Sequence, residues 1–354
     1  MKALVLSGGA GTRLRPFSYS MPKQLIPIVN KPVLEHVLDN IRDLGVKEIG
    51  VIVGDRAAQI AAVIGDGSRL GVRVTYIPQD APRGLAHTVA IARDFLGDDD
   101  FVMYLGDNML HDGITAIAEE FAVGRPAAQI VVHPVPDPRQ FGVAELAADG
   151  SVVRLVEKPQ EPRSDLALIG VYFFTPAIHA AVAAIEPSAR GELEITDAIQ
   201  LLVEQGATVK ASQYHGYWAD TGRVDDVLEC NRKLLDGLTR RVEGEVDSAS
   251  ELVGAVVVEA GARVVGSRIE GPAVIGVGSL VEDSHIGPHT SIGRDCVLRS
   301  TRLEYSITLD GATVTEVRGL HGSLIGRSAS VGPAAGAGQH RLVVGDHTRV
   351  EVAA

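Results

Sequence analysis

The sequence predicts an α/β protein in two parts: a Rossmann-like, mixed and mostly parallel sheet with helices over residues 1–240, then a parallel β-helix over 241–354. Three observations predict it. Apolar runs alternate with amphipathic helical stretches through the first two thirds of the chain. From about Val246 to Val331 long helices vanish and short apolar steps recur every five or six residues. At 354 residues, the chain also exceeds what one hydrophobic core usually fills.

The elements follow in order. KALVLSG reads as a strand, apolar on both faces. PVLEHVLDNIRDLG places Val33, Leu34, Val37, Leu38, Ile41 and Leu44 at helical spacing and stops on Gly45. Strand EIGVIVG, helix AAQIAAVIG, strand RVTYIPQ, helix LAHTVAIARDFLG and strand DFVMYLGD complete the alternation. Strands this apolar have no wet face, so the sheet is covered on both sides. In such sheets ligands bind beyond the carboxyl ends of the strands, which directs attention to SGGAGTR and GDNML. After the helical RVDDVLECNRKLLDG, the steps are Leu252, Val258, Val264, Ile269, Ile275, Val281, Ile286, Ile292 and Leu298. The pairs Ile275-Gly276, Ile286-Gly287, Ile292-Gly293 and Ile325-Gly326 suit a coil in which the apolar residue points inward and glycine permits the corner. A β-sandwich with glycine turns is the competing reading, and the repeated spacing favours the β-helix.

Composition narrows the function. With 45% hydrophobic and 22% charged residues the chain has the balance of a soluble globular protein. A net charge of −12 argues against a broad nucleic-acid footprint. The N-terminal apolar run is too short for a signal or membrane segment, so no membrane role and a cytoplasmic setting are expected. Cys230 and Cys296 form no CxxC pair and signal neither zinc nor a disulfide framework.

Against that acidic background the first 34 residues carry five Lys or Arg and no Asp or Glu. Gly8, Gly9 and Gly11 allow backbone N–H groups to approach an anion. Arg13 can bridge phosphate oxygens in bidentate fashion, and Lys23 supplies a compact charge. The loop lacks the Lys-Ser/Thr ending of a P-loop and the spacing of a dinucleotide fingerprint. A polyphosphate is the implied ligand; the alternative is that Arg13, Arg15 and Lys23 are solvated surface charges.

GGAGTRLRP, PKQLIPIVNKP, GLAHT, YLGDN, FGVAEL, VEKP, GELEITD and WADTG, in that order, resemble the sugar-1-phosphate nucleotidylyltransferases. Within them the chain is most similar to the long-form glucose-1-phosphate thymidylyltransferases, over essentially its whole length. The resemblance implies a left-handed β-helix and the reaction of dTTP with α-D-glucose 1-phosphate to dTDP-glucose and pyrophosphate, with Mg2+. It implies that Gly8, Gly9, Gly11 and Thr12 cradle the nucleotide, with Arg13 and Lys23 on its phosphates and Gln24, Gln79, Gly84 and His87 at the base. Asp107 and Asp220 match the family's metal carboxylates, although a cap or turn is the commoner role of an isolated Asp after a strand; Asp107, at the end of an apolar strand, is the stronger of the two, and Asp220 rests mainly on the resemblance. Glu157 and Lys158 would hold the sugar and its phosphate, with Gly142, Leu168, Gly170 and Tyr172 lining the hexose pocket. Asn108 would reach the product sugar, and Arg190 and Glu194 would help close the pocket. His87 departs from the short-form members, which usually carry glutamine there. UTP is therefore an alternative nucleotide, since thymine and uracil differ by one methyl. Two further alternatives are an acyltransferase activity on the coil, with His285, His289 and His321 as candidate bases, and a non-catalytic regulatory subunit. The second is disfavoured by the presence of Arg13, Lys23 and Asp107. A homo-oligomer is expected, because a stack of rungs must cover its apolar end.

Overall fold

The computed structural model describes residues 1–334 and 342–353. The chain divides into two compact units, Met1–Gly9 with Leu34–Asp220, and Ala10–Val33 with Thr221–Ala354.

The first unit is built on β1 (Lys2–Ser7), α1 (Val33–Asp43), β2 (Glu48–Val53), α2 (Ala57–Ile64) and β3 (Arg73–Pro78), as the sequence predicts. Then come α3 (Leu85–Ile91), α4 (Arg93–Leu96), β4 (Phe101–Leu105), β5 (Asn108–Leu110), α5 (Thr115–Gly124) and β6 (Ala128–Pro134). The unit continues with β7 (Gly142–Leu146), β8 (Val152–Glu157), β9 (Leu166–Phe174), α6 (Ala177–Ala184), α7 (Ile195–Glu204), β10 (Val209–Gln213) and β11 (Trp218–Asp220). The main sheet runs β8-β7-β9-β4-β1-β2-β3, with β6 pairing β9 and β10. Strands β4, β1, β2 and β3 are mutually parallel, whereas β9 runs antiparallel to β4, β6 and β7, so the sheet is mixed. Ala3, Leu4 and Val5 are fully buried, as expected of a strand covered on both faces. Helix α1 turns its predicted apolar positions Val33, Leu34, Val37, Leu38 and Ile41 into the core. It ends where Gly45 adopts φ 78°, a left-handed conformation that costs glycine nothing.

The predicted helix LAHTVAIARDFLG is interrupted at Ala92, which leaves helical geometry at φ −89°, ψ 4°. Thr88 bonds its hydroxyl back to the Leu85 carbonyl at 2.6 Å, a local bond that bends helices.

In the second unit, three parallel sheets form the sides of a prism, an arrangement consistent with a left-handed β-helix. Val256 pairs with Ala273 and Ala273 with Thr290, so one coil takes 17 residues and three short strands. Val258, Val264, Ile269, Ile275, Val281, Ile286, Ile292 and Leu298 fill the interior. The coils are also tied by hydroxyls: Ser284 donates its N–H to Ser267 Oγ and Thr301 to Ser284 Oγ.

The glycines after the apolar steps have a different cause from the one the sequence suggests. A Cβ on Gly276 would lie 2.2 Å from the Gly293 carbonyl oxygen, and one on Gly326 2.2 Å from the Gly345 carbonyl carbon. These glycines permit one coil to approach the next. Left-handed corners fall instead on Asp283, Asp295, Ser300 and Tyr305. Gly276→Ala is therefore expected to destabilise the coil by about 1–3 kcal/mol, readable as a lowered thermal midpoint. An unchanged midpoint would contradict this packing.

No helix among the described residues is long and apolar enough to cross a membrane.

Candidate functional site

In the first unit, strands β1 and β4 end side by side. The Gly106 N–H donates to the Leu6 carbonyl at 2.9 Å, and a Cβ on Gly106 would stand 2.5 Å from Ser7 Oγ. Only a bare backbone fits there, and Asp107 follows it directly. Its neighbour Asn108 opens β5, which pairs antiparallel with β11 so that Asp220 lies opposite Asn108. Asn108 donates to an Asp107 oxygen at 3.3 Å, and its own side-chain oxygen accepts from Trp218 Nε1 at 2.8 Å. Of the two predicted metal carboxylates, Asp220 thus ends β11 and Asp107, largely buried, lies in the turn just before β5, one residue from the position paired with Asp220. Next to them, Ser7 Oγ is buried and lacks a hydrogen-bond partner.

Beyond the β1 end, a Cβ on Gly8 would meet Gln79 Oε1 at 3.0 Å. Gln79 Nε2 lies 3.1 Å from His87 Nδ1, so His87 is engaged with a predicted partner. Gly84 adopts φ 98°, and a Cβ there would fall 2.3 Å from the Leu193 carbonyl oxygen. Leu193 N–H donates to the Arg83 carbonyl and Ala86 N–H to that of Leu193. This zipper joins the 80s loop to the segment that carries Arg190 and Glu194.

Glu157 ends β8 among opposing charges: Arg190 lies 3.7 Å and Lys158 3.8 Å from its carboxylate, and Thr196 Oγ1 donates to it at 3.3 Å. Burial, then the nearby Glu194, pushes the Glu157 carboxyl up from its ordinary range, although Lys158 and Arg190 pull the other way. Glu194 is buried at the start of α7 and accepts from Arg190 and Ser188. A Cβ on Gly142 would meet Thr196 Cγ2 at 2.8 Å and Glu157 Oε2 at 3.2 Å, so glycine keeps room beside the carboxylate. Leu168 and Tyr172 flank the irregularity in β9 at which Gly170 adopts φ 77°. Both are buried, and the Tyr172 hydroxyl is pushed up by burial and by the Glu157 charge.

The second unit holds the other predicted residues. Gly11 adopts φ 62° at the start of a 3-10 turn over Thr12–Leu14, which carries Arg13. A Cβ on Gly11 would stand 3.1 Å from Lys23 Cβ, so the glycine lets this turn lie against the one over Lys23–Leu25. Gln24 is 1% exposed, and its Oε1 is buried without a hydrogen-bond partner. Burial pushes the Asp226 carboxyl up, while Arg223 and Arg13 draw it down.

Glycines and a buried carboxylate at the ends of parallel strands, with Glu157, Lys158 and Arg190 paired in the same unit, suit a polar, charged ligand. Residues 2–237 match the nucleotidyl transferase family. The chain belongs to that family. It is 53% identical to a glucose-1-phosphate thymidylyltransferase of Streptomyces griseus over 353 residues, 99% of each chain. It is 54% identical to one of Streptomyces antibioticus, again over 99% of each. A low-salt glycan biosynthesis nucleotidyltransferase of Haloferax volcanii is 41% identical over 99% of this chain and all of its own. A solved structure from Bacillus anthracis with sucrose bound superposes with a TM-score of 0.61 at 32% identity, covering 65% of this chain and 94% of that one.

Residues beyond the predicted set lie beside predicted ones within each unit: Ser7, Gly106, Thr196 and Trp218 in the first, and Asp226, which feels the charge of Arg13, in the second. Ser7 had a visible signal, a polar residue closing an apolar strand just before the glycines. The coil histidines do not converge: His285 faces Glu270, His289 faces Asp236, and His321 packs beside Tyr305.

On the sugar-holding role that the resemblance implies for Glu157, Glu157→Gln is expected to lower kcat/KM for the sugar phosphate about 10- to 100-fold, the loss of one charge-assisted hydrogen bond. The same change should raise stability near neutral pH. A carboxyl with a raised folded pKa favours folding below its unfolded value, about 4.3, and loses that contribution as pH rises through the folded value. Thermal midpoints of the two proteins should therefore diverge above that range and converge below it; a constant offset would contradict the assignment.

Proposed function

We infer that this chain transfers the deoxythymidylyl group of dTTP to α-D-glucose 1-phosphate, giving dTDP-glucose and pyrophosphate. The observation that carries the inference is identity above 50%, over 99% of the chain, to two glucose-1-phosphate thymidylyltransferases. A phosphate oxygen of the sugar attacks the nucleotide α-phosphorus in line. The new P–O bond forms as the bond from that phosphorus to the α,β-bridging oxygen breaks, and pyrophosphate departs. The enzyme need supply no covalent nucleophile, only alignment and positive charge.

The roles proposed for the residues follow that chemistry. Gly8, Gly9, Gly11 and Thr12 present backbone to the triphosphate. Arg13 stabilises the departing pyrophosphate, and Lys23 holds the α-phosphate against the attacking oxygen. Gln24, Gln79, Gly84 and His87 take the base, a reading supported by the buried, unpartnered Oε1 of Gln24. Glu157 accepts from sugar hydroxyls, and Lys158 neutralises the sugar phosphate. Asn108, Gly142, Leu168, Gly170 and Tyr172 shape the hexose site, while Arg190 holds its rim. Among the described residues no cluster of three or more His, Cys, Asp or Glu could hold a metal. Magnesium does not require one, since it takes one or two carboxylates and completes its shell with water and phosphate. Asp107 and Asp220 offer such a donor set, and magnesium bound there would neutralise phosphate oxygens.

On the same footing, residues 1–240 are proposed as the catalytic module and 241–354 as the β-helix, in a cytoplasmic homo-oligomer. Phosphorus NMR of a reaction containing dTTP and glucose 1-phosphate tests the activity. The expected result is loss of the monophosphate signal with paired growth of a sugar-linked diphosphate and free pyrophosphate. Hydrolysis of dTTP with the sugar phosphate intact would overturn it.

A further inference from the structure

Within the second unit, the segment that carries Arg13 and Lys23 is fastened to the β-helix at three places. The first is a tight hairpin between Pro27–Ile28 and Lys31–Pro32. Its two turn residues, Val29 and Asn30, have φ 50° and 59°. A β-branched residue in the left-handed region is strained and persists only where its surroundings over-determine it. Here they do. The Val29 N–H donates at 2.9 Å to Oδ1 of Asn231, on the helix Val224–Leu235, and Ser291 Oγ on the coil donates to the same oxygen at 2.8 Å. Asn30 Nδ2 donates to the Ile292 carbonyl at 2.7 Å. Val29 packs in a cluster with Leu235, Val257 and Val274.

The second fastening lies three residues before Lys23. Ser20 Oγ donates to Asp346 Oδ2 at 2.7 Å, and Arg327 joins the same carboxylate at 2.7 Å while reaching the Ser20 carbonyl. The Asp346 side chain is 2% exposed. The third lies three residues after Arg13, where Pro16 stands against Gly345, at 3.2 Å from the position of a Cβ there. The coil side that receives the hairpin presents Val257, Val274 and Ser291 outward, all buried. By contrast, the other two sides carry Arg263, Arg268, Arg299 and Arg302, all exposed. One side of the prism is built to be covered.

We propose that this side of the β-helix, with the helix Val224–Leu235 that lies on it, is the seat that holds the phosphate-binding segment in its working conformation, with Asn231 of that helix and Asp346 of the coil as positioning residues for Lys23 and Arg13. The proposal rests on the assignment of those two cations to the triphosphate. It gives the β-helix a part in the chemistry although none of its residues need touch substrate.

The test compares full-length Asn231→Leu, Asn231→Asp, Asp346→Ala and Lys23→Ala with the parent, each checked for folding by circular dichroism at the assay temperature. Asn231→Leu and Asp346→Ala are expected to lower kcat about 10²-fold, the scale of a displacement near 1 Å, with KM for glucose 1-phosphate within about twofold of the parent. Asn231→Asp keeps the acceptor oxygen and should recover most of the loss. Folded Asn231→Leu and Asp346→Ala enzymes with parental kcat, beside an inactive Lys23→Ala, would overturn the positioning role. Equal loss in Asn231→Leu and Asn231→Asp would also overturn it. An active Lys23→Ala would instead overturn the assignment of the cations.

Discussion

Lys23→Ala is expected to lower kcat by about 10²–10³-fold while leaving the fold intact, the usual cost of removing one preorganised charge from a transition state. The reasoning begins with the charge map. No acidic residue precedes Glu35 in a protein of net charge −12, so the segment concentrates positive charge where the chain as a whole does not. Lys23 begins a short turn that Gly11 lets lie close, and a Cβ at Gly11 would already press on it at 3.1 Å. The ammonium is thereby carried on a packed turn. Steady-state kinetics with both substrates saturating, and circular dichroism alongside, measure the effect. Retained kcat would show that Lys23 acts only in binding or not at all.

Asp107→Asn carries the second large effect. The substitution preserves shape beside Asn108 but removes the anionic oxygen proposed as a magnesium ligand. A metal that stabilises transferring phosphate contributes several kcal/mol. Its loss corresponds to a fall in kcat of about 10³-fold, together with a higher magnesium concentration for half-maximal rate. A variant with normal magnesium dependence would remove Asp107 from the metal site. The same titration on Asp220→Asn separates the two carboxylates, since Asp220 lies opposite Asn108 across the ribbon.

Much of this was legible in the chain because local patterns and global fold agree. The apolar steps from Val258 to Leu298 all point into the coil, and the α1 positions all face the core. Those regularities arise from periods of single elements, which sequence displays directly. The break at Ala92 was not legible, since the apolar spacing of LAHTVAIARDFLG runs through it without a proline or glycine. Nor was the reason for Gly276, because the atom it must avoid belongs to the next coil, 17 residues away. At the site, Glu157 and Lys158 could be named from VEKP, yet Arg190 and Glu194 joined them only through the chain's return past α6. The clamp on Val29 was least visible of all. Asn231 and Asp346 lie more than 200 residues from the segment they fasten, and neither sits in a motif.

The most direct test of the whole account is magnesium-dependent pyrophosphate release from purified protein given glucose 1-phosphate, with dTTP, UTP, ATP, CTP and GTP in parallel. The account predicts fastest turnover with dTTP. The margin over UTP should be about 10- to 200-fold, as one methyl in an apolar pocket allows. No release with any nucleotide, or release best with UTP, would contradict it.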